Sequence, residues 1–371
     1  MPSTKNQTTP RLILSLLVVS FLFGCAIRID PADKPIPTKS PDIPSDVTDP
    51  TLIPQEFSVE LRLPASADTQ LAVDILDEVS GMLYNIERFP LLRQPDGKFQ
   101  GTLILPENAT LRYRYVMTAP LEVAEQKADG TPVGYRIAFV HKNAVIKDVV
   151  SGWPNAPYTG ETADLNGIVH DSKSNQPLPD VLINIAGYQT FTDMTGRFVL
   201  NDLPIGVHIL SAVSIDGSHV TFQQQANLVA DLSTPAVIQM IPLPQIKVTL
   251  KLESPTDAIG APVRLACNYA QCGLIFNEYT QGSFASRMPL LSHNEDSSYT
   301  LQLNLYAGNV FRYKYTLGNG YINAERDEDG ALLLRTITLP DHDVTITDKV
   351  ATWRIDNQKP TSIIVQTPES T

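Results

Sequence analysis

The chain has 371 residues, too many for one ordinary domain, and its 43% hydrophobic content with only 18% charged residues excludes wholesale disorder. The formal net charge of −12 comes with no basic cluster to offset it, so a phosphate backbone is repelled and nucleic acid is excluded as a partner. Most of the 29 prolines fall between short apolar runs, as turn and strand punctuation does.

Lys5 and Arg11 precede an apolar run from Leu12 to Phe23, too short to span a bilayer comfortably but suited to a signal-peptide core. The run ends in Leu22-Phe23-Gly24-Cys25, which resembles the lipobox of bacterial lipoproteins. The resemblance implies a signal peptide over 1–24, cleavage before Cys25 and lipidation of Cys25. It also implies export, with attachment to a membrane that leaves the chain facing the cell exterior or the periplasm. Residues 25–55 then carry Pro31, Pro35, Pro37, Pro41, Pro44, Pro50 and Pro54 among Asp, Ser and Thr, with no apolar periodicity. Such a segment favours extended polyproline II and predicts a semi-rigid spacer.

Three blocks follow, and the outer two repeat each other. Leu111-Arg112-Tyr113-Arg114-Tyr115 recurs as Phe311-Arg312-Tyr313-Lys314-Tyr315, Ala124-Glu125 as Ala324-Glu325, and Asp148 and Trp153 as Asp348 and Trp353, all at an offset of 200. Phe57 to Leu63 and Ile246 to Leu252 alternate apolar and polar residues, as half-buried strands do. Asp129-Gly130 and Asp329-Gly330 sit between strand-like runs and predict hairpins. The mature chain offers no amphipathic helix of useful length. The expected fold is all-β: three tandem β-sandwich modules, immunoglobulin-like or transthyretin-like, after the signal peptide and Pro-rich linker.

In order, the motifs Tyr113-Arg114-Tyr115, Glu125, Arg136, Asp148 and Trp153, and Tyr313-Lys314-Tyr315, Glu325, Arg335, Asp348 and Trp353, resemble the starch-binding domain family. The resemblance implies immunoglobulin-like sandwiches over 56–156 and 244–356 that bind a glucan-like carbohydrate. The family's sugar-stacking Trp is replaced by Ala124 and Ala324, and the Asn before the Arg by Tyr135 and Leu334. On that resemblance a sugar site would use Arg114 or Lys314, with Tyr135 or Tyr321 as the stacking ring. Glu125 with Arg136, and Glu325 with Arg335, are expected to pair across a hairpin as framework.

The middle block contains Gly167-Ile168-Val169-His170-Asp171, Gln176-Pro177-Leu178-Pro179-Asp180-Val181, Thr192 to Phe198, and Leu203-Pro204-Ile205-Gly206. It resembles the carboxypeptidase regulatory-like domain, which implies a seven-stranded transthyretin-like sandwich over 163–243 without catalytic residues. Gly196 supplies the positive φ of a tight turn, and Asp193 can bond that turn's backbone. Residues 357–371 read as a disordered tail.

Cys267 and Cys272 lie close together in an exported segment, which favours a disulfide over two buried free thiols. No second cysteine or histidine pair accompanies them to make a metal site. The six histidines share no ligand spacing, and H-E-x-x-H, G-x-S-x-G, Walker and G-x-G-x-x-G motifs are absent. No catalytic residue, metal or cofactor is expected. The partners expected are the membrane through the anchor and either a polysaccharide or surface proteins. Two functions follow: a surface carbohydrate-binding lipoprotein, or a structural scaffold or adhesive stalk that binds proteins or cell wall.

Overall fold

The computed structural model describes residues 35–36, 39–62, 66–77, 79, 86–230, 233–255, 261–276, 281–283, 286–318 and 323–353. Cys25 and Tyr321, expected to carry the lipid and a stacking ring, lie outside the described residues, as do the signal peptide and the tail. Among the described residues the regular structure is β-strand apart from a single 3-10 turn at Ala270–Cys272, and no helix is long and apolar enough to cross a membrane.

The first module contains β1 (Leu52–Leu61), β2 (Gln70–Ile75), β3 (Glu87–Arg93), β4 (Phe99–Pro106), β5 (Thr110–Ala119), β6 (Val123–Ala124), β7 (Arg136–Phe139) and β8 (Val145–Val150). Alternation places every second β1 side chain inside: Ile53, Gln55, Phe57 and Val59 are buried. β1 runs antiparallel to β4 and parallel to β8, while β5 lies between β2 and β7. β3 pairs with both β2 and β4, so one hydrogen-bonded path folds over into the two faces of a sandwich.

The middle module follows with β9 (Thr162–Asp171), β10 (Val181–Ile185), β11 (Tyr188–Phe191), β12 (Arg197–Pro204), β13 (Gly206–Ser214), β14 (Phe222–Leu228) and β15 (Ser233–Met240). Its sheets have the orders β11-β10-β13-β14 and β12-β9-β15. The turn before β12 forms as its residues dictate. Gly196 has φ 73°, and a Cβ there would meet the Val169 carbonyl at 2.6 Å. Asp193 Oδ1 accepts from the Thr195 and Arg197 N–H groups at 2.8 and 3.0 Å.

The third module holds β16 (Gln245–Glu253), β17 (Val263–Cys267), β18 (Leu274–Phe276), β19 (Gln281–Ser283), β20 (Ser292–His293), β21 (Tyr299–Tyr306), β22 (Val310–Leu317), β23 (Arg335–Thr338) and β24 (Val344–Lys349). β16 is antiparallel to β21 and parallel to β24, and β22 lies between β17 and β23. That is the strand order of the first module. The closing tryptophans occupy matching core positions, Trp153 with 2% exposure and Trp353 with none. Where β3 joins the two faces of the first module, the described residues of the third show β20 and an Arg264–Leu290 bridge flanked by the Leu265–Pro289 and Leu291–Val263 backbone hydrogen bonds.

The Pro-rich segment departs from the spacer expected of it. β1 begins at Leu52, inside the expected linker. Upstream, Ile36 exchanges two 2.7 Å backbone hydrogen bonds with Gln223 of β14, and Thr48 O accepts from Thr338 N at 2.8 Å. Ile43 packs on the third core. Proline removes donors but leaves carbonyls and apolar rings, and these residues use both to lie along two modules as a strap.

Candidate functional site

The repeated motif residues converge in each outer module on one buried cluster. In the first, Glu125 Oε1 accepts the Tyr115 N–H at 2.9 Å, and Arg136 reaches both Glu125 oxygens and Asp148. The Tyr113 and Tyr115 hydroxyls both donate to Asp148 Oδ2, at 2.6 and 2.9 Å. Burial disfavours the Arg136 cation, but Glu125 and Asp148 outweigh it, so its pKa is raised above the ordinary arginine value. Burial, then the charge on Asp148, pushes both tyrosines well up.

The third module repeats the cluster atom for atom. Glu325 Oε1 accepts the Tyr315 N–H at 2.9 Å, Arg335 bridges Glu325 and Asp348, and Tyr313 and Tyr315 donate to Asp348 Oδ2 at 2.9 and 2.8 Å. The expected Glu–Arg pairs therefore form, each with a carboxylate and two phenols added. A planar guanidinium in a two-carboxylate cradle suits a fixed internal brace, not a ligand seat.

The sugar residues expected from the resemblance are not gathered on a surface. Tyr135 has 0% exposure and packs with Leu76, Ile137, Leu182 and Val213 between the first and middle modules, so its ring offers no face to a sugar. Lys314 has 1% exposure and lies 3.6 Å from Asp77 of the first module. Burial lowers its pKa, against the pull of Asp77. Arg114 is partly exposed, with one nitrogen 3.5 Å from Asp74, which Arg88 engages at 2.6 Å. One-dimensional spacing identified the strand that carries these residues but not that neighbouring modules cover it.

Cys267 and Cys272 form a disulfide with Cα atoms 5.5 Å apart, joining the end of β17 to the 3-10 turn. The acidic hairpin tip folds on itself, with Asp327 Oδ1 accepting from the Asp329 and Ala331 N–H groups. Among the described residues no group of three or more His, Cys, Asp or Glu is placed to hold a metal ion.

What sequence reasoning missed is how the modules are joined. β7 is an edge strand of the first module, and the middle module satisfies its outward backbone with neutral side chains. Asn184 Oδ1 accepts the Ile137 N–H at 3.1 Å, Ser211 Oγ donates to the Ile137 carbonyl at 2.9 Å, and Gln223 Oε1 accepts the Phe139 N–H at 2.8 Å. The available signal was Asn184, a lone polar residue in the otherwise apolar strand β10. At the far side, Asn309 Nδ2 donates to Gly217 O at 2.8 Å and Ala270 N to Ile215 O at 3.0 Å, which fixes the middle module to the third.

One cluster has the composition of a nucleophile site. His219 Nδ1 lies 2.9 Å from Ser218 Oγ and Nε2 lies 3.0 Å from Asp171 Oδ2. Burial pushes the Asp171 carboxyl up, but hydrogen bonds from Ser174, His219 and Lys173 outweigh it and hold it at about 2. Ser218 Oγ is also 2.6 Å from Ser214 Oγ, so its hydroxyl belongs to a longer chain. A polar groove of about 460 Å³ lies between the strap and the outer modules, lined among others by Asp49, Glu107, His141 and Lys142. Lys142 pairs there with Glu107 at 2.9 Å.

No protein-family model matches the chain, and no curated protein matches it. Among solved structures it is similar to a streptococcal ancillary pilin at 12% identity and a TM-score of 0.30, over 80% of this chain and 99% of that one. The Bacillus anthracis TIE protein is similar over 81% of this chain and 51% of that chain, at 10% identity and a TM-score of 0.21. GBS52, the minor pilin of Streptococcus agalactiae, is similar over 51% of this chain and 97% of that chain, at 11% identity and a TM-score of 0.21. Similarities at this level carry no functional argument.

Proposed function

We propose that the chain is an exported, lipid-anchored, non-catalytic scaffold whose three joined sandwiches present surfaces to protein or cell-wall partners. The observation that supports this reading best is where the repeated polar residues are spent. Both Tyr-Tyr-Glu-Arg-Asp clusters are internal braces, and the polar side chains of β10, β13 and β14 cap a neighbouring edge. Glucan binding is the weaker reading, since Tyr135 and Lys314 are buried and Arg114 is engaged by Asp74.

The anchor is tested by fractionating cells that express the chain and its Cys25→Ser variant. Membrane association with an acylated Cys25, lost in the variant, supports the reading; a soluble chain with unmodified Cys25 overturns it. The glucan reading is tested by NMR titration with linear and cyclic glucans. Saturable shifts at Arg114 would restore it.

A further inference from the structure

A chain of four contacts runs through the base of the middle module, from Asp171 at the end of β9 to Asp216 in the turn after β13. Asp171 Oδ2 to His219 Nε2 is 3.0 Å, and His219 Nδ1 to Ser218 Oγ is 2.9 Å. Ser218 Oγ to Ser214 Oγ and Ser214 Oγ to Asp216 Oδ1 are both 2.6 Å. Every link is short enough to be a hydrogen bond, so each needs one proton between its heavy atoms.

The ends supply none. Asp171 is held at about 2, and Asp216 is lowered too, since burial, which raises it, is outweighed by Ser214, Ser218 and the charge of His219. Ionised carboxylates only accept. Each serine supplies one proton and a neutral imidazole supplies one, which leaves one of the four links empty. An imidazolium supplies two and completes the chain.

The turn at the Asp216 end carries the junction with the third module. Ala270 N donates to Ile215 O at 3.0 Å, Gln271 Nε2 to Asp216 O at 2.8 Å, Asn309 Nδ2 to Gly217 O at 2.8 Å, and Leu243 N to Ser218 O at 2.9 Å. The other titratable groups facing this turn are Asp180, which lines the same cavity as His219 and Asp216, Arg112 and Tyr269, which line a second cavity with His219 and Ser214, and Tyr306, whose hydroxyl bonds Asp216.

We infer that protonation of His219 is a pH-sensitive latch that tightens the junction between the middle and third modules. The cationic ring holds the Ser214–Ser218 turn from both ends, and loss of one proton empties one link and loosens the turn. The junction between the middle and third modules is therefore firmer with the ring protonated than with it neutral.

The test is amide hydrogen exchange on the full chain at about pH 5 and about pH 8, corrected for intrinsic rates. The Ala270 and Leu243 amides should be about fivefold better protected at the lower pH, as one hydrogen bond predicts. His219→Gln should abolish that difference. Ser214→Ala is the second variant, because it removes two links together and leaves two that a neutral imidazole and Ser218 satisfy. It too should lose the pH dependence while leaving the fold intact. Equal protection at both pH values in the unmodified chain, or a pH dependence that survives Ser214→Ala, overturns the inference.

Discussion

The first and third modules share a strand order and a buried brace, yet one flank of the first is covered by the middle module, while the matching flank of the third meets, among the described residues, only the strap at Thr338. On the covered flank β7 and β8 turn out Ile137, Phe139 and Val149, all buried against the middle module. At the matching register the third module has Thr336 and Thr338, half-buried, and Lys349, exposed. The brace responds to the cover. The Arg136 side chain keeps 3% of its surface and Arg335 keeps 17%. Inward residues of the repeat thus specify the sandwich, and outward residues specify whether a copy has a neighbour.

The most severe way to probe this difference is to remove the two arginines. Arg136→Met should cost about 3–5 kcal/mol, because it strands Glu125 and Asp148 in a fully covered site. Arg335→Met should cost about half as much, since solvent reaches that cluster. Denaturant titration of both variants checks it; equal losses would mean that the cover has no electrostatic consequence.

The cover itself should weaken in acid. His208 of β13 is fully buried, and burial followed by the Arg136 charge lowers its imidazole to about 4. A lowered base adds nothing to stability above the unfolded value near 6.5, and stability falls as pH drops from there towards 4 because only the unfolded state takes the proton. The loss reaches about 3 kcal/mol. Stability curves of the chain and of His208→Leu should converge over that window as the pH falls; parallel curves would refute the assignment.

A finer probe is Asn184→Ala, which removes the acceptor of the Ile137 N–H and a donor to the Tyr135 carbonyl. It should cost about 1–3 kcal/mol and speed exchange of the Ile137 amide towards that of Thr336, its uncovered counterpart. An unchanged Ile137 rate would show that the edge is protected some other way. The smallest effect belongs to a feature found only in the third module. The Cys267–Cys272 bridge closes only a short loop, so reducing it should cost at most about 2 kcal/mol, read as a shift in that module's unfolding midpoint.

The all-β class was legible because alternation in β1 and β16 and glycines such as Gly196 are local signals. The framework pairs were legible as well, since Arg136 and Arg335 follow their glutamates by 11 and 10 residues along one hairpin. The candidate sugar site was not. Tyr135 reads equally as a stacking platform or as a ring buried against Leu182 and Val213, and only tertiary contact separates the two. The same holds for Lys314, whose partner Asp77 comes from a module more than two hundred residues upstream. The strap misled for a different reason: composition reports that a proline-rich segment is extended but not that it has a surface to lie on.

That strap has a mechanical meaning. A pull on the N-terminal end meets the paired backbone bonds at Ile36 and Gln223, then the contact at Thr48 and Thr338, before it reaches β1. β1 is itself flanked by β4 and β8, so further tension would have to slide it between two neighbours at once. Load is thus divided among the middle, third and first modules in turn. Covalent order would have delivered all of it to the first.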